Sequence, residues 1–495
     1  MVRAKTLGDL KSLGYETKTI KQEMRDNLVR KLKAGEVLFP GIIGYDDTVI
    51  PSLCNAILSF HDFILLGLRG QGKTKIIRSL PNFLDEYIPI IKGSEINDNP
   101  FLPVSKAAVD LVKEHGDEVE IEWLHRENRF GEKLATPDVT IADLIGDVDP
   151  IKAASKRLHY AHEGVIHFGI IPRSNRGIFA INELPDLQPR IQVGLFNIMQ
   201  EKDIQIRGFP IRIPLDVVIV YTANPEDYTN RGSIITPLKD RIGSQIMTHY
   251  PRTIQEGMQI TRQEARQERE AASIVKVPTF LREIIEQVAV EARQSEFVDP
   301  KSGVSVRMTV TSIENLISNA ERRAILTGEQ EIVPRVSDLY AALPAIAGKI
   351  ELVYEGEQEG ETNVTLALIG KAVRTVFSKY FRDPLTSMKK KEKTYAQVVN
   401  WFKNNHSVEL DDKMTARAYF SELEKVSGLK NLVEQSMNGE TAQGDAFRAV
   451  AMEFALDGLH QNSMLSKETA YASTSYSDML NTMFSSLDDH EEDYG

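Results

Sequence analysis

Residues Gly67-Leu68-Arg69-Gly70-Gln71-Gly72-Lys73-Thr74 match the pattern G-x-x-x-x-G-K-[ST], and they directly follow the apolar run FILL at 63–66. This pattern constrains the fold more than any other feature of the chain. It calls for a strand–loop–helix unit in which glycines let successive N–H groups point at phosphate oxygens, while the helix start adds positive potential. An apolar run that stops at glycine suits a buried parallel strand. Gly67, Gly70, Gln71 and Gly72 form the cradle, Lys73 is expected to reach the β/γ-phosphates, and the Thr74 hydroxyl is expected to ligate magnesium. The expected cofactors are ATP and Mg²⁺.

Two further apolar runs, 178–181 and 217–221, each end in polar residues and are separated by helical stretches, as in a parallel α/β sheet. Helices are expected over 46–60, from the phosphate loop to about 87, and over 104–115, with a strand at 119–124. Alternation on both sides of Gly208-Phe209 predicts a hairpin at about 202–214. Residues 1–35 read as polar helices in which Leu28 and Leu32 share an apolar face. From 255 onward the pattern is helical, at 280–293, 310–326 and 337–350. The segment EGEQEGE at 355–361 reads as an acidic break and a domain boundary, and 364–460 again reads as helical. The Ser-, Thr- and acid-rich stretch 461–495 is expected to be a flexible tail.

A length of 495 residues suggests two to four domains. The single Cys54 excludes an intramolecular disulfide and a metal site built on several thiolates. A net charge of -12 argues against indiscriminate binding to nucleic acid or anionic membrane. No run of 18 apolar residues and no signal-like apolar core occurs, so a cytoplasmic protein without membrane insertion is expected.

A phosphate loop needs an acidic partner at the end of a neighbouring strand. Asn182 and Glu183 end the run GIFAINE, with Glu183 placed to polarise water and Asn182 standing where an aspartate is expected. An ordinary Asn-Glu turn would read the same. Replacing Asn182 by Asp restores charge near magnesium and, on sequence alone, is expected to be tolerated. The next run ends in Thr222-Ala223-Asn224-Pro225, where a polar tip can position the lytic water, or simply form a turn. Arg241 closes TPLKDR, where it could meet a neighbouring subunit's nucleotide.

In this order the motifs resemble those of AAA+ ATPases, specifically the clade of the magnesium chelatase I subunit and MoxR-type proteins, over about 36–350. The resemblance begins at Phe39-Pro40-Gly41-Ile42-Ile43-Gly44, which is similar to the clade's adenine-packing segment and brings in Ile43 and Gly44. It continues through the phosphate loop, Ala135-Thr136-Pro137-Asp138, Leu144-Ile145-Gly146-Asp147-Val148-Asp149, and Gly169-Ile170-Ile171-Pro172-Arg173-Ser174-Asn175-Arg176-Gly177. The resemblance implies a P-loop AAA+ parallel-sheet core with a helical lid and, beyond it, a mainly helical C-terminal region. The implied division is a helical extension at 1–35, a nucleotide-binding domain at 36–254, a lid at 255–354, a helical region at 364–460 and the tail at 461–495. It further implies a helix-2 insertion at about 147–171, Asn224 as sensor 1, Arg241 as arginine finger and Arg307 as the sensor 2 arginine. Asn182 departs from the family's Asp-Glu pair, which bears on magnesium affinity and turnover. No D-x-S-x-S motif occurs, which argues against a fused von Willebrand A domain.

The expected function is an ATPase working as a homo-oligomeric ring, such as a hexamer, that remodels a partner protein. The partner could be one with a von Willebrand A domain. A narrower version is the ATPase subunit of a magnesium-porphyrin chelatase. Asn182 motivates a weakly hydrolysing scaffold, and Lys202, Arg207 and Arg212 on the hairpin motivate a nucleic-acid motor, against the acidic balance. His159, His162 and His167 lie close without metal-ligand spacing, the 389–393 run reads as a solvated helix end, and Trp123 and Trp401 read as packing residues.

Overall fold

The apolar runs become strands of one parallel sheet in the computed structural model: β1 (Phe63–Leu66), β2 (Phe130–Leu134), β3 (Gly177–Asn182), β4 (Val217–Ala223) and β5 (Ser244–Met247). They pair in the order β5-β1-β4-β3-β2. The structure describes residues 4–149, 151–152, 163–206, 212–225, 234–268, 274–389, 394–470 and 473–479. The chain divides into two compact units, Met1–His249 and Tyr250–Gly495.

In the first unit the strands are buried on both faces because alternate side chains enter different clusters. Phe63, Leu65, Ile178, Ala180, Val218 and Val220 pack on one face with Ile76 and Ile77 of the helix after the phosphate loop. Ile64, Leu66, Phe179, Ile181, Ile219 and Tyr221 fill the other. The helix α1 (Ile20–Ala34) starts at Thr19, whose side chain accepts from the Gln22 N–H, and ends at Gly35. Its Ile20, Met24 and Leu28 join the first cluster. The expected pairing of Leu28 with Leu32 fails, since Leu32 is 47% exposed. The buried stripe runs through Ile20, Met24 and Leu28 at four-residue spacing and ends one turn earlier.

The helix after the loop is also shorter than expected. The helix α2 (Lys73–Ser79) gives way to a 3-10 turn at Leu80–Phe83, and Tyr87–Ile91 is a strand paired with Ile121–His125. Pro81 explains the stop, since it lacks an N–H and restricts the residue before it. The hairpin arms Asp203–Gln205 and Arg212–Pro214 pair antiparallel. Gly208-Phe209, Arg207, and His159 and His162 of the insertion lie outside the described residues.

The second unit is built on the helices α3 (Ile254–Glu264), α4 (Thr279–Gln294), α5 (Val306–Thr327), α6 (Glu361–Tyr380) and α7 (Asp445–Gln461). One apolar cluster runs from Ala265 to Tyr476 and includes buried residues of α4 to α7. The segment 337–350 is two short helices, Asp338–Ala341 and Leu343–Ala347, the second with Pro344 in its first turn. The acidic break is helical instead of open: Tyr354–Glu359 is a helix, and Gly360 at φ +90° turns directly into α6. The flexible-tail expectation fails for its first part. Ser466–Ala470 and Ser473–Ser477 form a hairpin whose second strand pairs with Val408–Asp411. Tyr476 is fully buried, and Lys467 meets Asp457 of α7 at 2.7 Å. Residues 480–495 and Lys390 to Lys393 lie outside the described residues. Trp123 donates to the Ala4 carbonyl at 2.9 Å and Trp401 stacks on His406, in keeping with packing roles. Among the described residues no helix is long and apolar enough to cross a membrane.

Candidate functional site

The phosphate loop leaves the carboxyl end of β1 at Gly67, whose N–H donates to the Ala223 carbonyl at 3.2 Å. A side chain could not be added there. A Cβ at Gly67 would lie 1.9 Å from Thr248 Oγ1 and 2.2 Å from Gln71 Oε1. Gly70 and Gly72 adopt φ of +74° and +72°, the left-handed turn that glycine allows without strain. Gly72 is the N-cap of α2, and Lys73 and Thr74 open it. The loop is held from behind by residues that sequence reasoning passed over. The Tyr45 hydroxyl lies 2.7 Å from both the Gln71 and the His249 carbonyls, and Thr248 Oγ1 donates to Gln71 Oε1 at 2.7 Å. Gly44, at φ +78°, delivers the chain into buried Tyr45, with Ile43 half-buried before it. Lys73 is buried, its ammonium donating to the carbonyls of Gly67 and, at 3.1 Å, Leu68, while Thr74 is exposed.

Asn182, Glu183 and Asn224 end β3 and β4 on the same edge of the sheet as the loop, the edge where open α/β sheets bind ligands. Glu183 sits at φ +54°, a conformation uncommon for a residue with a side chain, and its N–H donates to Thr222 Oγ1 at 3.0 Å. The Thr222 hydroxyl donates in turn to Asn182 Oδ1 at 3.2 Å. Asn182 Nδ2 donates to Glu132 Oε1 of β2 at 2.6 Å, and Glu132 also pairs with Arg78 of α2 at 2.9 Å. Thr222 belongs to the polar strand tip that the sequence marks, whereas Glu132 carried no recognisable spacing signal. Asn224 is 5% exposed, and its Oδ1 has no partner among the described residues.

This constellation fits a nucleotide with magnesium. The loop is preshaped, its lysine is buried, and Asn224 brings an orphaned acceptor to the same end of the sheet. Buried acceptors without partners are rare enough that a water or ligand group is the ordinary explanation.

Arg241 stands elsewhere. It ends the helix Thr236–Arg241 just before β5, at the amino end of the strands and so opposite the phosphate loop. Its guanidinium stacks on Phe196 at 4.6 Å and donates to Gln200 Oε1 at 3.0 and 3.1 Å. Arg307 belongs to the second unit, exposed in the first turn of α5, with its N–H donating to Ser305 Oγ. On the hairpin, Lys202 pairs at 2.9 Å with Asp62, which Lys21 also meets at 3.0 Å, and Arg212 pairs with Asp203 at 3.5 Å. Among the described residues no group of three His, Cys, Asp or Glu side chains could hold a metal ion, and His167 faces Arg173.

A glycine-rich loop after the second strand of a β5-β1-β4-β3-β2 sheet, with polar residues ending β3 and β4, decides the fold. It is an α/β P-loop core of the AAA+ fold. No protein-family model matches the sequence. The chain is 25% identical over 268 residues to the magnesium-chelatase subunit ChlI of Cyanophora paradoxa, covering 52% of this chain and 71% of that one. Among solved structures, the magnesium chelatase BchI–BchD complex aligns with 65% of this chain and 98% of the matched one, at 20% identity and a TM-score of 0.35. NtrX from Brucella abortus in complex with ADP aligns with 78% of this chain and 68% of its own, at 12% identity and a TM-score of 0.37. Superpositions this loose add nothing to the strand order and the loop.

Proposed function

We propose that this AAA+ core binds ATP with magnesium and hydrolyses it within a homo-oligomeric ring to remodel a partner protein. The observation that carries the reading is the braced phosphate loop at the same end of the sheet as Glu183 and the orphaned Asn224 acceptor. The loop N–H groups and Lys73 hold the phosphates, and Thr74 and Asn182 are the residues that would hold magnesium, which supplies charge neutralisation on the transferring group. Glu183 takes the proton from the attacking water, and Asn224 orients that water. Arg241, at the far end of the sheet from its own loop, is assigned to a neighbour's γ-phosphate, and Arg307 is given the sensor 2 role that the resemblance implies. Likeness to ChlI supports the narrower reading, a subunit of a magnesium-porphyrin chelatase acting with a partner such as a von Willebrand A protein.

Titration of a fluorescent ATP analogue tests the first step. Lys73→Ala removes the point charge at the β/γ-phosphates and should abolish tight binding, and affinity equal to the parent would refute the site. A second reading, a scaffold that binds but barely hydrolyses, is favoured by the uncharged Asn182. Steady-state phosphate release, with and without candidate partners, separates the two.

A further inference from the structure

Asn182 occupies the strand-end position where the resemblance leads one to expect aspartate, yet a carboxylate is present beside it. Glu132 lies on β2, the neighbour of β3, where the register sets Glu132 opposite Ala180 and Leu134 opposite Asn182. Alternate residues share a face, so Glu132 and Asn182 project to the side of the sheet on which α2 packs. There Asn182 Nδ2 donates to Glu132 Oε1 at 2.6 Å. A carboxylate can only accept, so this contact settles the amide's orientation. Asn182 Oδ1 is the remaining acceptor, already receiving the Thr222 hydroxyl at 3.2 Å, while Thr222 also receives the Glu183 N–H. Arg78, one turn beyond Thr74 on α2, holds Glu132 through Nε at 2.9 Å and Nη2 at 3.3 Å. Glu132 thus lies between the helix that carries Thr74 and the strand end that carries Asn182 and Glu183.

We infer that the magnesium-ordering carboxylate of this site has been transposed by one strand: Glu132 supplies the negative charge, and Asn182 carries it to the site by presenting its amide oxygen. The inference rests on the nucleotide-binding reading above. Glu132 is a positioning residue that acts through Asn182. Without it the amide is free to rotate and present N–H donors, which repel a cation's field, where an acceptor is needed. The same geometry reverses the expectation for Asn182→Asp. An aspartate there would face Glu132 at hydrogen-bond distance, and two carboxylates so close cannot both ionise.

The test is a Mg²⁺ titration of fluorescent ATP-analogue binding, beginning in EDTA, on the full chain. Groups that orient a metal's ligands typically govern its affinity by about 10- to 100-fold. Glu132→Gln should therefore raise the half-saturating Mg²⁺ concentration by about that factor, with binding in EDTA unchanged. Asn182→Asp alone should also weaken Mg²⁺ dependence. The double variant Asn182→Asp/Glu132→Gln, which exchanges amide and carboxylate, should restore most of it. Arg78→Ala should leave the Mg²⁺ midpoint unchanged or lower it, because a competing cation is removed. The proposal is overturned if Glu132→Gln leaves the midpoint unchanged, if the exchange does not rescue, or if Arg78→Ala reproduces the Glu132→Gln loss. That last result would make the ion pair a brace only. Failure of the parent chain to bind the analogue at any Mg²⁺ concentration would instead sink the nucleotide reading itself.

Discussion

Glu286 → Gln should change how the second unit responds to pH. Glu286 lies on α4 between α3 and α5. Its carboxylate accepts from Thr261 Oγ1 at 2.5 Å, and Thr261 Oγ1 lies 2.8 Å from Thr309 Oγ1. Gly257 leaves room for it, since a Cβ there would come within 2.5 Å of Glu286 Oε2. Burial raises its pKa from 4.5 to about 7, against the opposing pull of the Thr261 hydrogen bond and Arg293. A carboxyl that holds its proton more tightly when folded stabilises the fold fully below its unfolded pKa. That contribution is lost as pH rises through the folded value, because the unfolded chain ionises first. The shift from 4.5 to about 7 corresponds to roughly 3 kcal/mol in all, of which about 2 to 3 kcal/mol falls between about pH 5 and pH 8. Gln, always neutral, has no such dependence. Urea unfolding followed by Trp401 fluorescence, in a Trp123→Phe background, reads the second unit alone. With a urea slope of about 2 to 3 kcal/mol/M, the gap between parent and Glu286→Gln midpoints should change by about 1 M over that range. Parallel pH profiles for the two proteins would refute the buried, protonated Glu286.

Glu183→Gln should retain ATP and lose about 10²- to 10⁴-fold in single-turnover hydrolysis, since the amide cannot take a proton from water, and an unimpaired enzyme would end that assignment. Arg241→Ala and Lys73→Ala, each inactive alone, should recover hydrolysis when mixed. Inactivity despite mixed oligomers in native mass spectrometry would make Arg241 structural. Glu23→Gln removes the countercharge and one of the two acceptor oxygens from Arg129, which is 1% exposed and bound at 2.6 and 2.7 Å. It should cost about 3 to 5 kcal/mol, read as a fall of about 6 to 20 °C in the melting of the first unit, and a change under about 2 °C would show that the pair is not sustained in solution.

The phosphate loop, the strand ends at Asn182 and Asn224, and the hairpin arms were legible because each is a local pattern. Glycine positions, apolar runs and their polar stops are written in consecutive residues, and the chain's buried sheet follows from them. Even the places where local reading failed have local causes once seen. Pro81 stops α2, and Pro344 lies in the first turn of the second of two short helices. The hairpin at 466–477 was missed because Ser- and Thr-rich strands look like linker until a buried tyrosine and a paired lysine anchor them.

What sequence alone determined about this protein is the kind of engine it contains: a phosphate loop in an α/β setting, with candidate groups in the right order along the chain. Only the tertiary structure decided which distant residues complete it. Tyr45 and Thr248 brace the loop across about 26 and 177 residues of sequence from Gln71. Glu132 meets Asn182 from 50 residues away because β2 docks beside β3 in one particular register. Pairing between strands is set by which apolar faces can be buried together, a property of the whole sheet that no window of sequence contains. Whether a carboxylate fifty positions away neighbours an amide is therefore settled only when the sheet closes.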